Sequence, residues 1–260
     1  QNEDGFKKFA SQFHNQTTYL IDRNVARDGK GVQWNPFDQS TEDLVAINAN
    51  FRNNFYFNRG KQRYSSTYSF IQNRSKNALN FGSLENNLKT HQFQFTHLVQ
   101  KLWLFNFITK TDHLTSISEN YSSKNYKINS LSLNPKISYL FSTQASLDFF
   151  YEFKNKENQQ EAFETLEQHR LGTSFIYNTT NKFSINGEFS FYQNKFEGNA
   201  LSAVAYQMLE GLQPGKNLTW RLLFQRNLTK YLDANINYQG RTSETSKTIH
   251  TGSIQLRAFF

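Results

Sequence analysis

The sequence predicts an all-β fold: an antiparallel transmembrane β-barrel of about twelve strands, with short periplasmic turns and longer extracellular loops. Three observations predict it. Apolar and polar residues alternate with period two in segment after segment, as in strands with one apolar and one wet face. The composition is unusual: only 37% of the 260 residues are hydrophobic and mean hydropathy is -0.72, yet 16% are Phe, Trp or Tyr, with 26 Phe and 13 Tyr. Disordered chains lack aromatics, whereas a barrel with a polar lumen and an aromatic, aliphatic outer face needs them. Finally, no run approaches eighteen consecutive apolar residues, which excludes a transmembrane helix.

Taken in order, the first strand is expected over 6–22, with Phe9, Phe13, Thr17, Tyr19 and Ile21 in register. A polar stretch, 23–43, follows and contains Trp34-Asn35-Pro36-Phe37. The second strand sets Ile47, Ala49, Phe51, Phe55 and Phe57 against Asn48, Asn50, Arg52, Asn54 and Asn58. A tight turn at 59–61 leads to the third, with Tyr64, Ser66, Tyr68 and Phe70 on one side and Arg63, Ser65, Thr67 and Ser69 on the other. The fourth, over 79–98, is interrupted by Lys89 and His91; the fifth, over 102–114, is apolar on both faces around Trp103, Phe105 and Phe107.

The sixth strand, over 126–141, contains Pro135, which predicts a bulge or poor pairing there. The seventh carries Leu147, Phe149, Tyr151 and Phe153, and the eighth Leu171, Thr173, Phe175 and Tyr177. The ninth carries Phe183, Ile185, Phe189 and Phe191, and the tenth Leu218, Trp220, Leu222 and Phe224. The eleventh sets Leu232, Ala234, Ile236 and Tyr238 against Asp233, Asn235, Asn237 and Gln239. The twelfth places Ile254, Leu256, Ala258 and Phe260 on one face and Ser253, Gln255 and Arg257 on the other. Connections after even strands are short and most of those after odd strands are longer and more polar, the asymmetry of outer-membrane barrels. A soluble β-sandwich also gives alternation. It does not explain about twelve apolar faces, nearly all aromatic, in one chain.

The closing strand, ending on Phe260, resembles the terminal targeting strand of outer-membrane β-barrel proteins. Integral placement in the bacterial outer membrane, among its lipid, is the expectation that follows, with Phe260 acting in membrane insertion. A longer resemblance is carried by Ala205-Tyr206-Gln207-Met208-Leu209-Glu210-Gly211-Leu212-Gln213-Pro214-Gly215-Lys216-Asn217, Trp220, Gly240-Arg241 and Ile249-His250-Thr251-Gly252. Trp34-Asn35-Pro36-Phe37 and the run from Arg52 to Arg59 add to it. These residues are similar to the C-terminal barrels of large Bacteroidota-type outer-membrane proteins. The resemblance implies that 1–260 is one barrel domain following a larger periplasmic part. The start at Gln1, with no Met and no apolar h-region, fits a removed signal peptide or such a longer polypeptide.

Catalytic and metal chemistry find little support. His250 and Ser253 are three apart on a strand and face opposite sides, the wrong geometry for a base and nucleophile. His91 and His97 lie about 20 Å apart along a strand. The Gly211–Lys216 segment lacks the spacing of a phosphate-binding loop. There is no cysteine, and no cofactor is expected. A net charge of +8 raises nucleic acid as a partner, but the basic residues are scattered and no run of five occurs. No enzyme activity and no nucleic-acid partner are expected.

If the apolar parity faces lipid, then Arg52, Arg63, Asp148, Glu152, Arg170, Glu188, Arg221, Asp233, Arg241 and Arg257 point into the lumen. In a narrow barrel, charges of both signs pair and block the passage; with Arg in excess, the alternative is a narrow anion-favouring pore. Arg221 and Asp233, on strands joined by a short turn, are candidates to pair. Three functions follow. The first is an anchor or interaction subunit of a larger envelope assembly with protein partners. The second is a channel for small anionic or sugar-like solutes. The last is an outer-membrane hydrolase. The loop over 196–215 carries Leu201, Val204, Met208, Leu209 and Leu212, too many apolar residues for a bare solvated loop. It is expected to fold over the barrel mouth or pack on a partner.

Overall fold

A computed structural model describes residues 2–25, 44–60, 63–160, 163–179, 182–229 and 231–258. Phe260 and the 34–37 motif lie outside them. The elements are α1 (Asn2–Ala10), β1 (Phe13–Val25), β2 (Leu44–Phe57), β3 (Tyr64–Ala78), β4 (Ser83–Val99), β5 (Trp103–Ser118), β6 (Tyr126–Leu140), β7 (Ala145–Asn158), β8 (Thr165–Thr179), β9 (Phe183–Glu197), α2 (Ala203–Leu209), β10 (Gly215–Thr229), β11 (Leu232–Ser243) and β12 (Ile249–Ala258). The twelve strands form one antiparallel sheet in sequence order from β1 to β12. β1 and β12 are its two terminal strands; among the described residues no ladder joins them.

Register keeps a single parity across the whole sheet. Phe55 faces Tyr68, Tyr68 faces Phe93, Phe95 faces Phe107 and Phe105 faces Ile137. Further on, Ile137 faces Phe149, Phe149 faces Thr173, Thr173 faces Phe189, Phe189 faces Trp220, Leu222 faces Tyr238 and Ile236 faces Ile254. These apolar side chains are largely exposed, Phe93 at 41% and Phe149 at 53%. The opposite parity holds the buried polar residues, among them Asn54, Ser69, Thr90, Ser138, Asp148, Gln168, Ser190 and Asn194. A soluble fold buries apolar and exposes polar groups; this sheet does the reverse, as a polar-lined barrel must.

The outer apolar band has defined edges. On β4 it runs from His97 through Phe95 and Phe93 to His91, and gives way to Lys89, Asn87 and Glu85 in the same column. On β10 it runs from Phe224 to Leu218, bounded by Arg226 and Lys216. At its upper edge, on the loop side, three tyrosines pair with histidines: Tyr68 with His91 at 2.7 Å, Tyr151 with His169 at 2.7 Å and Tyr238 with His250 at 2.9 Å, hydroxyl to Nδ1. Aromatic rings with polar tips suit an interface that is apolar on one side and wet on the other. His250 sits there on the outer face, and Ser253 has the opposite parity. Within the band, Phe175 covers Gly187 and Trp220 covers Gly240, each ring occupying the space a Cβ would need.

Two strand boundaries are corrected, and the expectation at Pro135 is resolved. The first strand does not begin at residue 6: α1 occupies Asn2–Ala10 and β1 starts at Phe13. Phe9 and Phe13 are four apart, a spacing that serves a helix end as well as a strand. Lys7 and Lys8 sit in the last turn, where they favour the helix macrodipole. Phe9 packs on Phe13 at 5.2 Å between ring centroids, and Phe13 on Phe57 at 5.0 Å. The fourth strand starts at Ser83, not 79, because Leu79 N–H donates to the Gly82 carbonyl and closes a tight connection with Gly82 at φ +77°. Of the two outcomes expected at Pro135, poor pairing is the one that occurs, without a bulge. The β6–β7 ladder skips Asn134 and Pro135 and resumes in the same register, while Pro135 still opposes Phe107 on β5.

Candidate functional site

The inner wall is organised around Arg170 on β8. Its Nη2 lies 2.6 Å from Glu188 Oε1 and its Nη1 3.4 Å from Glu152 Oε2. Its Nε and Nη2 also donate to Ser190 Oγ at 3.2 and 3.1 Å. The guanidinium is stacked near Phe150 and Tyr192, at 4.6 and 5.3 Å from the ring centroids. Register explains the convergence: Glu152 opposes Arg170, which opposes Tyr192; Ser190 opposes Gly172 one same-face pair along, and Glu188 opposes Ser174 two along. Gly172 leaves room for the Phe150 ring, which lies 2.3 Å from where a Cβ would stand. Arg221 on β10 adds a longer contact, 3.7 Å, to Glu188.

Of the residues expected in the lumen, Glu152, Arg170, Glu188 and Arg221 are therefore brought together. Asp148 is inward too, and binds Lys136 at 3.3 Å and Ser174 Oγ at 3.1 Å. Arg52 has the inward parity on β2, far along the sheet from this group. Arg63 lies in the turn below β3 rather than in a strand; its carbonyl accepts from Leu98 N–H. Arg221 and Asp233 do not pair. The register sets Arg221 opposite Gln239, and Asp233 opposite Asn227 and Arg257, so a hairpin brings neighbours of the turn together and not residues far along its arms. Arg241 donates to the Gly211 carbonyl at 3.4 Å. In the closing strand Ile254, Leu256 and Ala258 share the outer parity, opposite Ile236, Ala234 and Leu232.

The loop between β9 and β10 folds inward. Ser202 caps α2 by accepting from Ala205 N–H at 2.9 Å. Val204, Ala205, Met208 and Leu209 are buried, in one cluster with Ile128 and Leu166, against which Leu114, Tyr126 and Phe196 pack. All five wall residues have the inward parity. The inward apolar residues at the loop-side ends of β5, β6, β8 and β9 are the ones that α2 covers. Leu201 points to solvent at 96% exposure.

Charge fixes the other end of the helix. Lys156 donates to the Met208 carbonyl at 2.8 Å and to Glu210 Oε1 at 2.7 Å, and Lys154 to Glu210 Oε2 at 3.2 Å. Burial works to raise the Glu210 pKa, but the Lys156 and Lys154 charges and their hydrogen bonds outweigh it. The carboxyl is held below its ordinary value of 4.5. The anchoring is then complete above pH 4.5 and is lost as pH falls through the depressed folded value. Amide hydrogen exchange across Val204–Leu209 should accelerate under such acid conditions, whereas Glu210→Gln should show no such step; equal acid response in both proteins would contradict the anchor.

Sequence reasoning missed Lys110, Asp112, Lys136, Lys154, Lys156 and Glu210. Lys110 and Asp112 bridge at 2.7 Å, and with Lys154, Lys156, Glu152 and Glu210 they border a cavity of about 290 Å³ beside α2. Their signal was present: each strand lysine sits on the polar parity of its own strand. Among the described residues no group of three His, Cys, Asp or Glu could hold a metal ion.

A twelve-stranded antiparallel sheet with a polar, ion-paired inner wall and an apolar outer band edged by aromatics defines the class: a transmembrane β-barrel. No family model and no curated protein matches the chain. Among solved structures it is similar to the translocator domain of the autotransporter NalP from Neisseria meningitidis: 8% identity, 100% of this chain and 96% of that one, TM-score 0.36. It is also similar to the NanC porin, with 11% identity over 81% and 94% of the two chains and a TM-score of 0.40. The third is the ferric yersiniabactin uptake receptor FyuA from Yersinia pestis, with 8% identity, 94% of this chain, 50% of that one and a TM-score of 0.47.

Proposed function

We propose that this chain is an integral barrel of the bacterial outer membrane that acts as an anchor or interaction subunit of a larger envelope assembly, of the protein-export or outer-membrane-protein assembly type, and has no enzymatic activity. One observation carries the preference over a pore: α2 is packed onto the inner wall and tied to it by Glu210, above an Arg170 cluster whose charges are paired. A free conduit needs neither. The resemblance of the sequence to C-terminal barrels of large Bacteroidota-type proteins supports the same reading. Purification of the full chain in mild detergent tests it. Defined partner proteins that stay bound through size exclusion are expected; a chain that purifies alone and conducts steadily in planar bilayers would contradict it.

A narrow channel for small anionic or sugar-like solutes is the second reading. It is favoured by the polar cavity beside α2, lined by Lys110, Lys154 and Lys156 and by the carboxylates Asp112, Glu152 and Glu210 that pair with them. The hydrolase reading has no such support, since His250 and Ser253 stand on opposite faces.

A further inference from the structure

At the upper edge of the outer band, one place differs from the rest. Lys89 on β4 stands directly opposite His113 on β5, and His91, next in the Lys89 column, stands opposite Thr111. With Asn129 and Leu131 of β6 these side chains line a recess of about 410 Å³. Every one of them has the outward parity, so the recess opens on the side of the sheet that carries the exposed aromatics and not into the lumen. Below it lie Phe93 and Leu133; above it lie Asn87 and Thr115. It therefore straddles the level at which apolar surface gives way to polar surface, the level of lipid headgroups.

The ring nitrogens are prearranged. Tyr68 holds His91 through Nδ1 at 2.7 Å, and the Asn129 side-chain oxygen accepts from His113 Nδ1. Each contact occupies Nδ1, fixes the ring and leaves Nε2 for a ligand. The other two Tyr–His pairs of the belt lack this environment. His169 Nε2 is taken by Glu167 at 3.2 Å, and His250 lies against Trp220 and Tyr238 with no lysine opposite. The acidic residues at the recess are Glu157, on β7 at the far wall from Lys89, and Asp112, whose carboxylate points inward to Lys110.

We propose that this recess binds the phosphorylated headgroup of an outer-leaflet lipid, with Lys89, His91 and His113 contacting the phosphate and Leu131 and the band below contacting the acyl chains. The Lys89 ammonium supplies charge-assisted hydrogen bonds to phosphate oxygens. With Tyr68 donating to Nδ1, His91 donates through Nε2–H; His113, whose Nδ1–H is used by Asn129, donates through Nε2 when the ring carries both protons. Basic pockets at the level of lipid headgroups recognise anionic lipids. The inference rests on the membrane-spanning reading given above.

The test is native mass spectrometry of the full chain extracted from bilayers containing a diphosphorylated glucosamine lipid, compared with the same lipid lacking its phosphates. Heat-modifiable migration reports insertion separately. The wild-type protein should insert and retain the phosphorylated lipid. Lys89→Gln with His113→Ala should insert equally and retain about tenfold less, equivalent to the loss of roughly 1.4 kcal/mol; Lys89→Gln alone should show an intermediate loss. Equal retention by inserted wild-type and variant proteins would overturn the site and leave the membrane reading intact. Displacement of the lipid by excess inorganic phosphate would show a free-phosphate site and overturn the lipid assignment. Failure of the wild-type chain to insert would overturn both.

Discussion

Leu222→Arg should abolish most of the assembled, heat-modifiable barrel, whereas Arg221→Ala should leave its amount near normal. Leu222 lies in the middle of the outward column Leu218, Trp220, Leu222 and Phe224, between Tyr238 on one neighbour and Gly187 on the other. A charge there faces hydrocarbon, at a cost of roughly 2–4 kcal/mol near the midplane. That is a large part of the stability of an ordinary domain. Arg221, one residue away, has the opposite parity. Its side chain is 64% exposed, and its contact to Glu188 is long at 3.7 Å. An exposed pair of that kind contributes about 0–1 kcal/mol. Glu188 also keeps Arg170 at 2.6 Å when Arg221 is removed. Equal assembly of the two variants would contradict the assignment of faces.

Removing the inward helix should have the second large effect, and on permeability rather than assembly. With Ala203–Leu209 replaced by a Gly/Ser linker, a barrel that is silent in planar bilayers should conduct steadily. Met208→Asp is a milder form of the same test. Met208 is fully buried against the inner wall, and an uncompensated charge there costs on the order of several kcal/mol, enough to release the helix. Assembly should survive in both, because α2 contributes to no strand ladder. Equal conductance in the wild-type protein and the linker variant would show that α2 does not close the lumen and would favour the channel reading.

How much of this was legible in the sequence depends on the length scale of each signal. Period-two alternation is local and survives weak composition, so the twelve strands and the alternation of their two faces could be read directly. Phe183, Ile185, Phe189 and Phe191 needed only their spacing. The amino-terminal boundary failed because Phe9 and Phe13 satisfy two periods at once, and Lys7 and Lys8 in the last turn of α1 favour its macrodipole. The charges of the inner wall could be assigned a face but not a partner. Pairing depends on register, and Arg221 with Asp233 shows that two residues either side of a turn need not meet. Lys154 and Lys156 were invisible as a site because their partner, Glu210, comes from a loop more than fifty residues later. The apolar content of that loop did announce that it packs. What it packs on became clear only when Leu114, Ile128, Leu166 and Phe196 converged on the inner face.

The central claim is that one parity of the sheet faces lipid and the other a polar lumen, and cysteine labelling tests it most directly. The protein has no cysteine of its own, so single cysteines at 221 and 222 report without background. In assembled barrels shown to admit water, a membrane-impermeant thiol reagent should label the cysteine at 221 and spare the one at 222. Labelling at 222 with protection at 221 would invert the faces, and with them the lumen, the outer belt and the headgroup recess.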